Sequence, residues 1–309
     1  MTGPALPKLS VIASLIAVAT ILLPSEKVLA SLCSPDSEAT SSMIGRRDTL
    51  AMPLHWYTMF TNLPSDWGHF GRDVFRPETV TPAIGMTILT VGLVAADDET
   101  WTLSHHVYDR ERSVRDVSDF FEYLGDGRPQ FGLAAAFGAF GVIKSDQRAL
   151  RTGSQLVEVI LACGTVVQLL KHITGRESPF VSTVPGGRWD VFPNQVEYHK
   201  HVPRFDAYPS GHIATALATV TVVAENYPEW KWVRPVGYSV CALIGISMAN
   251  TGIHWYSDYP LGLYLGYAFG MIVAHPRDLE GTTTDVQSGI SFGPAVTSNG
   301  PSLGITFKF

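Results

Sequence analysis

From Thr79 onward the chain alternates charge-poor apolar runs with short polar connections. The runs are Thr79 to Ala96, Phe131 to Ile143, Ser154 to Leu170, Gly211 to Ala224, Pro235 to Ala249 and Pro260 to Ala274. Each is rich in Ala, Leu and Gly and apolar on most faces, so the pattern predicts six helices buried all round, by protein or by lipid. Gly262, Gly266 and Gly270 recur at four-residue spacing in the last run and would let a neighbouring helix approach closely. The runs fall slightly short of the ~20 residues that cross a bilayer, so a membrane bundle and a compact soluble helical domain both fit. No Asp, Glu, Lys or Arg lies between Asp206 and Glu225, or between Arg234 and Asp258, which favours the membrane. The expected fold is all-α, a membrane-embedded six-helix bundle.

The flanks read differently. Residues 1–30 have the form of an export signal: Lys8 supplies the positive start, Leu9 to Leu23 is uncharged, and Val28-Leu29-Ala30 suits cleavage before Ser31. A retained N-terminal anchor is the alternative. Residues 31–78 are polar and irregular and read as a lead-in, 79–275 hold the helical domain, and 276–309 form a tail. The tail turns to Gly, Ser and Thr and ends in an alternation of Leu303, Ile305, Phe307 and Phe309 that suits a short strand.

Composition narrows the function classes. The 309 residues are 46% hydrophobic and only 16% charged, which excludes general disorder. A net charge of −6 without a long Lys/Arg run argues against nucleic acid as partner. Cys33, Cys163 and Cys241 show no CxxC spacing, and the last two lie in apolar runs, so neither a disulfide framework nor a zinc site is expected.

Three segments carry chemistry. Pro209-Ser210-Gly211-His212 opens an apolar run: Ser210 is a good helix N-cap, the Gly211 and His212 amides are unpaired donors for an anion, and His212 can pass a proton to a leaving group. In His254-Trp255-Tyr256-Ser257-Asp258, Pro260 places the pair His254 and Asp258 at a loop-to-helix junction, where a carboxylate can hold one imidazole nitrogen and leave the other free to attack. The stretch Lys171 to Pro179 ends a long run at Gly175 with Lys171 and Arg176 near the break. Singly, the last two have plain readings, a surface hydrogen bond and compensation of a helix dipole. In order, the three describe a fixed cation, an anion cradle, an acid and a nucleophile, the requirements of metal-free phosphoryl transfer.

On these residues the chain resembles the superfamily of type 2 phosphatidic acid phosphatases and vanadium haloperoxidases, whose motifs are written KxxxxxxRP, PSGH and SRxxxxxHxxxD. They correspond here to Lys171–Pro179, Pro209–His212 and Ser247–Asp258, and the resemblance covers roughly residues 79–275. Two family arginines are replaced, by Ser178 and Met248, and neither replacement can act as a planar bidentate phosphate donor. Arg176, Arg188 and Arg204 are candidates to take their place.

The resemblance implies a phosphatase without metal or cofactor. His254 would be the nucleophile that forms a phosphohistidine, Asp258 would orient it, and His212 would protonate the leaving alcohol. Lys171, Ser210 and Gly211, with Arg176 or Arg188, would bind the phosphoryl group. An exported apolar helical chain points to a lipid phosphate as substrate and to a site on the periplasmic or outer face of a membrane. The alternatives are headgroup exchange on a lipid phosphodiester with the same His, His and Asp, or a member of the fold whose site has decayed.

Overall fold

The computed structural model describes residue 55, residues 57–276, and residues 289–297 and 300–308. The expected leader over 1–30, Cys33 and the first part of the lead-in lie outside the described residues. All six apolar runs are helices. They form parts of α2 (Val80–Arg110), α4 (Gly127–Lys144), α5 (Gln147–Thr174), α6 (Gly211–Asn226), α7 (Val233–Asn250) and α8 (Tyr259–Ala274), while α1 (Leu63–Val74) and α3 (Arg112–Gly125) are additional. Short helical turns cover Thr58–Thr61 and Gln195–Lys200.

Helix ends follow local chemistry. Asp126 caps α4 by accepting from the Arg128 amide at 3.0 Å, and Asp146 caps α5 by accepting from the Ala149 amide at 3.1 Å. Helix α5 stops at Gly175, whose left-handed φ of 55° turns the chain, and a Cβ there would collide with the Asp190 carbonyl. The lead-in is not irregular throughout. Helix α1 begins with Pro64 in its first turn and turns Leu63, Trp67 and Phe70, at helical spacing, onto the core. Trp67 Nε1 donates to the Ala162 carbonyl at 3.1 Å, and Phe70 stacks on Phe269 with ring centroids 4.7 Å apart. Helix α3 escapes a search for apolar runs because its apolar residues are interspersed with polar ones: Val114, Ser118, Phe121 and Gly125 form its inner face, while Arg112, Asp116 and Asp119 are exposed together with Val117, Phe120 and Tyr123.

Helix α6 is the central element. It packs against α5, α7 and α8, and most of its length is buried. One core cluster joins Leu156, Val159 and Cys163 of α5 to Ala214, Ala218 and Val222 of α6 and Leu265 and Phe269 of α8. A second joins Ile213 and Leu217 to Ile244 and Met248 of α7 and to Tyr259 and Leu263. Close approach of α6 and α8 depends on small residues: a Cβ on Gly262 would stand 2.7 Å from the Ser210 carbonyl oxygen, and one on Gly270 would stand 2.6 Å from Thr221 Cβ.

The chain divides into two units after His275. In the second, the tail forms two antiparallel strands, β1 (Gly289–Thr297) and β2 (Gly300–Lys308), with Gly293 opposite Gly304. The expected single terminal strand is thus one half of a hairpin.

A methyl group added at the α6–α8 contact must push the helices apart. Gly262→Ala is expected to destabilise the protein by about 1–3 kcal/mol. Gly164→Ala in α5, where nothing lies within 4 Å of the added carbon, is expected to stabilise by about 0.5–1 kcal/mol. Thermal unfolding of the two variants checks the pair.

Candidate active site

The three segments meet at one end of the bundle. Ser210, fully buried, caps α6 by accepting from the Ile213 amide, and its own amide donates to the Asp258 carbonyl at 3.0 Å, which ties the second segment to the third. Gly211 packs beside the end of α5: a Cβ there would lie 3.3 Å from Val167 and 3.9 Å from Lys171 Nζ. The backbone at the start of α6 and the Lys171 ammonium therefore border the same space, which suits an anion held by amides and one cation.

The histidines face each other. His212 Nδ1 lies 3.2 Å from His254 Nε2, with the rings in a T-shaped arrangement. His254 Nδ1 lies 2.8 Å from the Ala207 carbonyl, and since a carbonyl only accepts, that nitrogen carries the proton. The lone pair is then on Nε2, aimed at His212. Asp258 Oδ2 is further from His254 Nδ1, at 3.5 Å, and takes the Trp255 amide at 2.7 Å. The carbonyl of Ala207 thus fixes the ring more directly than the carboxylate assigned to that role. Burial, reinforced by the Lys171 charge, pushes the His254 pKa down to about 3. Burial also lifts Asp258 to about 6, against the opposing pull of Arg176. At neutral pH the nucleophile candidate is uncharged and its neighbouring carboxylate is ionised.

Arg176 does a different job from the one expected. Its side chain is fully buried, with NH1 donating to Asp258 Oδ1 and Ser257 Oγ, both at 2.6 Å, and NH2 donating to Asp97 Oδ2 at 2.6 Å and to the Gly186 carbonyl at 2.7 Å. The guanidinium also lies over the rings of Trp189 and Trp255. Its terminal nitrogens are committed to protein acceptors, so it clamps the loop behind the histidines instead of offering a fork to phosphate. Arg188 and Arg204 are exposed, and the Arg188 amide donates to Glu177 Oε2 at 3.0 Å. Ser178 is buried, its amide donating to the Pro203 carbonyl at 2.9 Å. Met248, fully buried, belongs to the second core cluster and places no cation beside the histidines.

Two residues of the site escaped the sequence reading. Asp97, on α2 just beyond the apolar run, accepts from Arg176 and from Ser257 Oγ at 2.5 Å. Asp206 pairs with Lys171, Oδ2 to Nζ being 3.1 Å. The one available signal for both was bookkeeping: a buried Lys and a buried Arg each require a carboxylate.

Residues 152–278 match the family model of the PAP2 superfamily, a region that contains all three motif segments. The resemblance drawn from the motifs is thereby shown. A lipid A 1-phosphatase of Porphyromonas gingivalis is 38% identical over 66 residues, which are 21% of this chain and only 15% of that protein's length. Among solved structures, a transmembrane PAP2-type phosphatidylglycerolphosphate phosphatase of Bacillus subtilis is 19% identical, with a TM-score of 0.45, over 62% of this chain and 92% of that one.

Removing one member of the buried ion network leaves the others unpaired. Asp97→Ala is expected to cost about 3–5 kcal/mol of stability, and the exposed Arg188→Ala to stay within about 0.5 kcal/mol. Equilibrium unfolding measures both.

Proposed function

We propose that this protein is a phosphatase acting on a lipid phosphate through a phosphohistidine at His254. The observation that carries the reading is the His254 ring, held by the Ala207 carbonyl with its unprotonated Nε2 turned toward His212. In the proposed reaction Nε2 attacks phosphorus and the bond from phosphorus to the ester oxygen breaks. His212, protonated once the phosphate charge sits beside it, gives its proton to the departing alcohol oxygen. Water then attacks the phosphohistidine, His212 takes the water's proton, and phosphate leaves with His254 restored. Lys171 and the amides at the start of α6 would hold the non-bridging oxygens. The limited match to a lipid A 1-phosphatase supports a lipid phosphate as substrate.

A membrane location fits the surface. Helix α5 has 28 residues and a mean hydropathy of 1.7 in its most apolar window, the one helix among the described residues that passes as a span by length and composition. Ile84, Ile88 and Val91, along one face of α2, are exposed, as are Phe140, Val142 and Ile143 of α4 and Val236 of α7. Apolar exposure on three helices suits contact with lipid. With an export signal over residues 1–30, the site belongs on the periplasmic or outer face.

Headgroup exchange on a phosphodiester remains the second reading, favoured by the prior engagement of both cations at the site, Lys171 by Asp206 and Arg176 by Asp97 and Asp258. Release of inorganic phosphate, against transfer of a headgroup to a second lipid, separates the two.

His254→Ala is expected to abolish phosphate release from lipid phosphates, and turnover is expected to persist in EDTA. At saturating substrate, kcat should fall as pH drops through about 6, where Asp258 takes up a proton, and Asp258→Asn should lack that acidic limb. Full activity of His254→Ala would sink the assignment. In cell fractionation the protein is expected to stay in the membrane pellet after a high-salt wash and to leave it only with detergent; extraction by salt alone would overturn the membrane reading.

A further inference from the structure

Lys171 enters the site already paired. Its ammonium lies 3.1 Å from Asp206 Oδ2, the Lys side chain being 5% exposed and the Asp side chain 25%. Asp206 stands four residues before Ser210, and its charge is felt by groups from every element around it: Lys171 at the end of α5, Tyr198 on the short helix before it, His212 on α6 and His254 on the loop after α7. The Tyr198 hydroxyl is buried and makes no hydrogen bond. Arg176, the other buried cation near the site, is matched by Asp97 and Asp258. The positions where the superfamily carries arginines hold Ser178 and Met248. While the histidines are neutral, two cations therefore face three carboxylates.

We propose that Asp206 is a specificity-determining residue that selects phosphate groups carrying a single negative charge. The inference rests on phosphate binding beside His254 as proposed above. A phosphate that reaches Lys171 shares the ammonium with Asp206 and lies close to its carboxylate. In a partly dry site the second charge of a dianion is repelled by Asp206 while the buried Arg176 is already matched by Asp97 and Asp258, whereas a diester or a monoanionic monoester is attracted by Lys171 with less penalty. The Asp206 side chain accepts from Lys171, and among the described residues it caps no helix. Its position at the rim, partly exposed, lets the carboxylate act on what enters.

The test measures binding in the full-length protein through tryptophan fluorescence, with Trp255 and Trp189 close to the site. The probe is inorganic phosphate, which passes from mostly one negative charge at about pH 6 to mostly two at about pH 8. Dimethyl phosphate, singly charged at both, controls for titration of the protein. Wild type is expected to bind inorganic phosphate about tenfold more weakly at the higher pH. Asp206→Asn is expected to abolish or reverse that order, Asp206→Glu to restore it, and dimethyl phosphate to show in all of them the same small pH dependence, set by protein groups such as Asp258. In turnover, Asp206→Asn should lower KM for a phosphomonoester at the higher pH with kcat little changed. Equal pH ratios in wild type and Asp206→Asn would overturn the proposal, as would loss of both probes in a folded Asp206→Asn, or absence of phosphate binding to wild type. Asp206→Ala carries the same comparison if Asp206→Asn fails to fold. Failure of the phosphatase reading shows differently, as absence of turnover in a wild type that still binds phosphate with the expected pH order.

Discussion

A guanidinium with no exposure to water governs the architecture of the site. Taking the Arg176 charge out of water costs several kcal/mol unless partners surround it, and here those partners come from separate parts of the chain: Asp97 from α2, Ser257 and Asp258 from the turn before α8, and the Gly186 carbonyl from the long loop. None of these segments can move away without leaving a buried charge unmatched. The backbone extends the same constraint, because the Arg176 carbonyl accepts the Ala207 amide at 3.0 Å and the Ala207 carbonyl in turn holds His254 Nδ1. One buried ion thus reaches the nucleophile candidate by two routes, through Asp258 and through Ala207.

Dryness then sets the chemistry. Both histidines sit in surroundings that disfavour a charged imidazole, so the resting pair is neutral and shares one hydrogen bond. A negative charge brought beside the pair would shift that balance toward the imidazolium. In the proposed reaction the amides at the start of α6 would need no reorganisation when charge develops on phosphorus-bound oxygens. The α6–α8 contact bears on the same turn: Gly262 lets α8 press against the Ser210 carbonyl, so the packing that stabilises the bundle also holds the start of α6.

The distribution of charge separates this chain from the motif pattern it follows. Where the superfamily supplies arginines, an apolar Met248 completes the core and a buried Ser178 bonds to backbone. Lys171 remains as the cation beside the cradle, and it is half spoken for by Asp206. The site therefore presents oriented amides and one shared ammonium rather than bidentate forks.

The sequence by itself determined the six apolar helices and marked three short segments that the fold brings to one end of the bundle. Long runs without charge have few other ways to satisfy their backbone, and Pro209–His212 and His254–Asp258 are local patterns whose meaning lies in adjacent residues. Helix α3 and helix α1 were not legible as apolar runs because their inner faces are interrupted by polar residues and emerge only from helical spacing. The partners of Arg176, Asp97 and Asp206 were decided by tertiary structure alone. Arg176 looked like a phosphate ligand because it lies beside a motif position, yet its partners Asp97 and Asp258 are 79 and 82 residues away along the chain. Spacing along a chain constrains only neighbours on one element. Which charges meet in a dry interior depends on how separate helices pack, and a buried ion is satisfied by whatever the fold brings within hydrogen-bond reach.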